Sequence, residues 1–232
     1  MTNPIYNTNR FNYTELKRTN TSGSRKYITP DGFAVPSVTT ILDATKPEEA
    51  KKALQNWRNR VGHKQAQAIT TESAGRGTRM HTFLENYIKN KQLPSPGSNP
   101  YSVQASKMAN EIIFNGLINC QEVWGTETSL WFDDIYAGTT DCVGVHSGNE
   151  AIIDFKQTNR QKKREWITDY FLQLVFYGTA HNNMFNTNIN TGVIMMCSSN
   201  FEYQEFIIEP SDWKKIEQLM WQRIEKYYLM FV

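Results

Sequence analysis

Between residues 47 and 69 the apolar positions recur at helical spacing, with Pro47 at the start and Glu48 and Glu49 in the first turn, so a helix is expected there. A second is expected over about 77–88, where Met80, Leu84 and Tyr87 recur at three- and four-residue steps before Pro94, and a third over 102–118. The pattern then changes. Residues 123–132, 136–146 and 150–155 are short runs rich in aromatic and β-branched side chains, separated by Asp133-Asp134 and Ser147-Gly148-Asn149; they read as three strands of an antiparallel meander. A helix over 165–181, strands over 192–198 and 201–208, and a helix over 211–228 with Ser211 as its N-cap complete the chain. The polar residues that come first, with a turn at Pro30-Asp31-Gly32, read as an arm or short hairpin outside the core. This order predicts an α/β sheet core preceded by a mainly helical lobe. Residues 1–35 would be the arm, 36–120 the lobe and 121–232 the sheet core, all in one structural unit.

A chain of 232 residues can bury a real interior without disulfides. Its three cysteines, Cys120, Cys142 and Cys197, form no C-x-x-C pair, which argues against a zinc ribbon or a disulfide framework and fits a reducing, cytosolic setting. No apolar run approaches the roughly 20 residues that span a bilayer, and the first ten residues lack the apolar segment of a signal peptide, so no membrane partner is expected. The net charge of +2 conceals a division: residues 1–110 hold 16 Lys and Arg against 7 Asp and Glu, and residues 111–232 hold 9 against 16. A basic half suits a polyanion; an acidic half can host carboxylates that bind cations.

In the run Ile152-Ile153-Asp154-Phe155-Lys156, side chains two apart on a strand share a face about 6.7 Å apart, so Asp154 and Lys156 point together. Twelve residues separate Asp154 from Asp141 on the preceding strand, and the turn at 147–149 can bring the two carboxylates side by side. Paired carboxylates repel, and Mg²⁺ or Mn²⁺ relieves that repulsion. Such a cation polarises a phosphodiester and acidifies a bound water, while Lys156 can orient that water or meet growing charge. Alone the pattern is weak, since an exposed strand end often carries an ion pair worth about 1 kcal/mol or less. Gln173 and Tyr177 stand four apart on one helical face, suited to contacting DNA or ordering the site, and neutral His81 could join the carboxylates on a metal. His63, His146 and His181 have no supporting context.

Together these residues resemble the RecB-type branch of the PD-(D/E)xK nucleases. Its signatures stand here in order as Gly77-Thr78 with His81, Gly138 to Asp141, Asp154 to Lys156, and Gln173 to Tyr177; the resemblance runs from about residue 36 to the last helix. It implies a restriction-endonuclease-like core, a central mixed β-sheet flanked by helices, and catalysis by Asp141, Asp154 and Lys156. By the same resemblance His81, Asp141, Asp154 and the backbone carbonyl of Phe155 hold one or two Mg²⁺ or Mn²⁺ ions, with Glu127 as an outer contact. Pro36-Ser37-Val38-Thr39 before Ile41-Leu42, a Trp-bearing helix at Trp57 and the Asp141-Cys142-Val143 triplet further imply exonucleolysis on single-stranded DNA, with Ser37 among the DNA contacts. The branch often continues D-x-K-T, whereas Gln157 follows Lys156 here. Iron–sulfur relatives need four cysteines, so no cluster is expected.

For the DNA itself, Arg58, Arg76 and Arg79 interleave with Trp57 in the basic half, and Lys162 and Lys163 follow the D-x-K strand. Cations track phosphates and aromatic faces stack unpaired bases, which suits a single strand. Two other readings stay open: a structure-selective endonuclease of the same fold, and a DNA-binding module without catalysis. The short N terminus favours a phage or bacterial enzyme over a mitochondrial one. Cleavage polarity, oligomeric state and protein partners leave no trace in the sequence.

Overall fold

The computed structural model describes residues 5–6, 10–21 and 24–231, so the parts of the expected N-terminal arm at 1–4, 7–9 and 22–23 lie outside the described residues. In chain order the elements are β1 (Ile5–Tyr6), β2 (Lys17–Thr21), β3 (Ser24–Ile28), β4 (Ala34–Pro36), α1 (Val38–Ala44), α2 (Glu48–Val61), α3 (His63–Asn90), α4 (Pro100–Asn115), β5 (Cys120–Phe132), β6 (Tyr136–His146), β7 (Asn149–Thr158), α5 (Thr168–Phe185), β8 (Thr191–Ser198), β9 (Tyr203–Ile208) and α6 (Pro210–Tyr228). Six strands form one sheet in the order β1-β5-β6-β7-β8-β9, and β2, β3 and β4 form a second, small one. The expected meander is present: β5, β6 and β7 pair antiparallel. After β7 the chain crosses a sheet face as α5, so β8 returns parallel to β7, and β9 then pairs antiparallel to β8. The result is a mixed sheet flanked by helices, the α/β class expected.

Burial on both sheet faces explains why β8 carries an unbroken apolar run. Ile152 of β7 joins Ile41 of α1, Leu172 and Phe176 of α5 and Trp213 of α6 on one side; Ile153 and Phe155 join Leu84 of α3 and Ile112 of α4 on the other. Each such side chain contributes on the order of 1.5–3 kcal/mol. This alternation fixes which way Asp154 and Lys156 point, toward the α5 side with Ile152.

Three expectations are corrected. The helix expected over 47–69 breaks earlier, at Gly62, whose φ of +85° closes α2 and suits glycine; beyond it α3 runs without interruption for 28 residues. Ser211 does not cap α6. That helix starts one residue sooner at Pro210, whose missing N–H costs nothing in a first turn, and Glu209 occupies the cap position without a side-chain bond. The N-terminal segment is not wholly outside the core: it forms the expected hairpin, but Leu16, Tyr27 and Val35 bury themselves against Ala137 of β6, and Phe11 and Tyr13 pack beside Phe185. The helical segment is divided. The second half of α3 and α4 cover a sheet face, whereas α2 has no buried residue and the first half of α3 buries only Ala66 and, at its end, Arg76. No helix among the described residues is long and apolar enough to cross a membrane.

Candidate metal centre

The site forms where strand pairing fails. β6 and β7 are in register from His146↔Asn149 to Cys142↔Ile153, and one further step would set Asp141 opposite Asp154. Instead the Phe155 backbone N donates to Asp141 Oδ2 at 2.7 Å. On the other flank β5 and β6 pair at Thr126↔Cys142 and Thr128↔Thr140, which leaves Glu127 abreast of Asp141. Glu127 sits at φ 51°, a left-handed conformation that costs a non-glycine residue about 1–3 kcal/mol and persists only where surroundings enforce it. Carboxylates opposed across neighbouring strands destabilise a sheet. Three of them at one level call for positive charge.

His81 supplies part of it. Its Nδ1 lies 3.5 Å from Asp141 Oδ1 and 4.0 Å from Glu127 Oε1, and its ring stands edge-on to Phe155 at 6.2 Å. Burial works against charge on this imidazole, but the Asp141 carboxylate and the nearby Glu127 carboxylate overcome it and push its pKa up to about 9. His81, Glu127 and Asp141 each offer one ligand atom, and these atoms lie within 4.8 Å of one another. Asp154, 1% exposed, is outside this triad. The Lys156 ammonium lies beside its Oδ2 as an ion pair without the angles of a hydrogen bond, and Oδ1 has no partner. Burial raises the Asp154 carboxyl above the usual carboxylate range against the pull of Lys156, and Asp141 adds to the rise. Burial likewise opposes charge on Lys156, yet Asp154 and Asp141 keep its pKa above the ordinary lysine value; the ammonium also faces the Tyr170 ring at 5.1 Å. A buried carboxylate oxygen without a partner is costly. Imidazole nitrogen and carboxylate oxygens are donors that suit Mg²⁺ or Mn²⁺, so these residues fit such an ion.

The remaining candidates divide into two groups. Gln173 Nε2 donates to Tyr177 Oη at 3.3 Å, and Ser37 caps α1 by accepting from Thr40 N at 3.0 Å. Gln173, Tyr177 and Ser37 border one cavity of about 250 Å³ that His81, Glu127 and Asp141 also line. Gly138 makes this possible: a Cβ there would stand 2.7 Å from Tyr177 Cε1, so the glycine of the G-x-x-D run lets the Tyr177 ring lie on β6. Trp57, Arg58, Arg79, Lys162 and Lys163 line no part of that cavity. Arg58 is exposed on α2 beside half-buried Trp57; Arg79 lies 5.9 Å from the Tyr101 ring and Lys163 5.5 Å from that of Trp166. Lys162 is half-buried, its backbone bonded twice to the Gln204 side chain.

Arg76 requires a correction. It is 5% exposed and turned inward, with Nε donating to Gln157 Oε1 at 3.0 Å and the guanidinium bonded to Asn159, so no free guanidinium faces a strand. Gln157, the departure from D-x-K-T, therefore ties β7 to α3. Two arginines of the β2–β3 hairpin, Arg18 and Arg25, border the cavity as well. No periodicity or motif pointed to them, because the hairpin reads as polar surface.

With this geometry in place, comparison with known proteins yields a consistent relative. The chain is similar to mitochondrial genome maintenance exonuclease 1. It is 27% identical to the Xenopus tropicalis protein over 176 residues, 70% of this chain and 48% of that one, and 27% identical to the Mus musculus protein over 203 residues, 83% and 57%. The chain thus spans about half the length of the curated relatives it matches. No family model matches it. A crystal structure of a Eubacterium rectale protein aligns with a TM-score of 0.49 and 11% identity over 69% of each chain, a likeness too slight to carry an argument.

Proposed function

We propose that this chain is a metal-dependent exonuclease that hydrolyses phosphodiester bonds of single-stranded DNA. The observation that carries the reading is the failure of pairing at one level of three strands, where Glu127, Asp141 and Asp154 come abreast and His81 arrives from α3. The similarity to the two exonuclease-named relatives supports it. His81, Glu127 and Asp141 would hold Mg²⁺ or Mn²⁺, joined by Asp154 and the Phe155 carbonyl. The bound ion supplies Lewis acidity toward a phosphodiester oxygen and a more acidic water. Lys156, held charged between two carboxylates, orients the attacking water or stabilises negative charge on the phosphoryl oxygens. Gln173 and Tyr177 close the cavity wall beside Asp141 and position the backbone of the strand.

The projecting part of the chain, α2 with the first half of α3, carries Lys51, Lys52, Arg58, Arg60 and Lys64 on solvent-facing positions. We assign it the grip on the strand, through phosphate contacts and stacking on Trp57. Three free, buried cysteines fit a reducing compartment, and we place the activity in the replication, recombination or degradation of phage or bacterial DNA. The test is hydrolysis of a linear single strand, a blunt duplex and a covalently closed single-stranded circle, each in Mg²⁺, Mn²⁺ and EDTA. Degradation of the linear strand alone, abolished by EDTA, is the expected result. Hydrolysis in excess chelator would remove the metal assignment; rapid cutting of circles would replace the exonuclease with an endonuclease.

A further inference from the structure

The cavity beside His81, Glu127 and Asp141 has a second wall of opposite character. Arg18 on β2 and Arg25 on β3 both border it. In the antiparallel pair of these strands Arg18 is directly across from Tyr27, and opposed residues share a face, as do positions two apart; Arg18, Arg25 and Tyr27 therefore stand on one face of the hairpin. That face is turned to the site and fastened there. Tyr27 is buried with Ala137, and its hydroxyl is 3.2 Å from Thr139 Oγ1, two residues before Asp141 on β6. The Arg25 carbonyl accepts from the Ser37 backbone N at 2.9 Å and from Thr40 Oγ1 at 3.1 Å. Neither arginine has an ion-pair partner among the described residues, although Asp141 and Glu127 line the same space. The carboxylates are instead drawn to His81, so the cavity keeps an acidic wall suited to a cation and a basic wall with two free guanidiniums.

We propose that Arg18 and Arg25 bind the phosphate monoester at an end of the DNA strand. This rests on the nuclease reading above and names the part of the substrate that the cavity takes. Charge favours a monoester. It carries nearly two negative charges at neutral pH, matching two guanidiniums, whereas an internal diester carries one. Size agrees with it, because about 250 Å³ lies below the range of ordinary drug-sized pockets and suits the last nucleotide of a strand rather than a duplex. The polar edges of Ser37, Thr39 and Gln173 surround the same space and can meet the sugar oxygens. Planar guanidiniums grip a phosphate with paired N–H donors, so lysine at these positions would keep the charge and lose the fork.

The experiment uses the full chain and three internally labelled single strands of one sequence, with a 5′-phosphate, a 3′-phosphate or hydroxyls at both ends. Fluorescence anisotropy in Ca²⁺ buffer gives the Kd of each, and hydrolysis in Mg²⁺ is followed on the same strands. The wild-type protein is expected to bind one phosphorylated strand about tenfold tighter than the hydroxyl strand. Arg18→Ala/Arg25→Ala should erase that preference, and Arg18→Lys/Arg25→Lys should retain only part of it, with melting curves close to wild type for these exposed positions. Equal Kd values for the three strands would overturn the proposal. So would a preference that survives in the double alanine variant, or a double variant that weakens all three strands alike, which assigns the arginines to internal phosphates. Hydrolysis without end preference would remove this inference and leave the nuclease reading; end preference without hydrolysis would do the reverse.

Discussion

Two of the four histidines, half-buried His81 and buried His181, sit under opposite electrostatic conditions. His181, on the far part of α5, is fully buried and sits among Phe11, Trp124 and Phe185, with Nε2 2.9 Å from the Tyr13 hydroxyl and Nδ1 2.8 Å from Thr187 Oγ1. Burial pushes its pKa down to about 4, so it is a neutral ring that satisfies two hydroxyls. His81 is held by carboxylates instead, and its pKa rises to about 9. Burial acts on both in the same sense, and the neighbours decide the sign. One imidazole is therefore part of the packing that fastens the N-terminal segment to α5, while the other belongs to a charge cluster that a cation could enter in place of a proton.

The sharpest way to break this comparison is to alter each region and read both stability and chemistry. Asp154→Asn and Lys156→Ala are expected to lower hydrolysis in Mg²⁺ about 10³-fold, because under the proposed function they would remove a carboxylate from the metal site and the charge that would meet the phosphoryl oxygens. His81→Ala should act in the same direction, with weakened Mn²⁺ binding by calorimetry. His181→Ala should leave turnover per folded molecule near wild type while costing about 2–4 kcal/mol of stability, through a cavity and a Tyr13 hydroxyl left without its partner, whereas Thr187 keeps its bond to Asn182. Equal loss of turnover in the His81 and His181 variants, at equal folded fraction, would dissolve the distinction.

Acid separates the two further. The folded pKa of His181 is depressed below its ordinary 6.5, so the unfolded chain binds the proton more readily between about pH 6.5 and 4. Its contribution is complete above pH 6.5 and is lost as pH falls toward 4, by up to about 3 kcal/mol. Urea unfolding of wild type and His181→Gln at pH 7 and pH 4 measures this: the stability difference between them should shrink at pH 4. A difference independent of pH would show that His181 does not enter the fold as a neutral ring.

How much of this was legible in the sequence follows from what each signal depends on. The meander, α5 and the order of elements follow from periodicity, since both sheet faces are covered and the strands read as short apolar runs. The alternation rule put Asp154 and Lys156 on one face, and turn length set Asp141 across from Asp154. What could not be read depends on partners distant in sequence. Glu127, named only through the family resemblance, gains its place beside Asp141 from its own left-handed backbone within β5, which no residue pattern announces. Arg76 looks like any exposed helical cation until Gln157 and Asn159 are set against it. The hairpin's buried Leu16, Tyr27 and Val35 are too few to stand out in a polar stretch, and with them went the two arginines at the cavity. Gly62 breaks the helix expected over 47–69, because exposed polar residues continue a helix and a positive φ ends one.

Gly138→Ala sharpens the contact between β6 and α5. The added Cβ would press on the Tyr177 ring at 2.7 Å, so Tyr177 must shift or the strand must yield, at a cost of about 1–3 kcal/mol. Melting temperature and turnover should both fall. Adding Tyr177→Phe to it should recover little stability, because the clash is with the ring edge, and retained wild-type melting in Gly138→Ala would mean that the ring does not lie on the strand.

The smallest effect is expected where the molecule is least packed. Arg58 is exposed on α2, a helix without a buried residue, so Arg58→Ala should leave the melting temperature within about a degree or two of wild type. If this helix tracks the strand, single-strand binding should weaken by a few-fold, and the slope of log K against log salt should become shallower by about one phosphate contact. Trp57→Ala should weaken binding by a similar amount with no change in that slope, since stacking releases no counterion. The two substitutions thus separate charge from stacking on one helix, and neither touches the groups around His81. A salt slope unchanged in Arg58→Ala, with binding intact, would take the grip away from α2 and leave it to the cations near Trp166 and Tyr101.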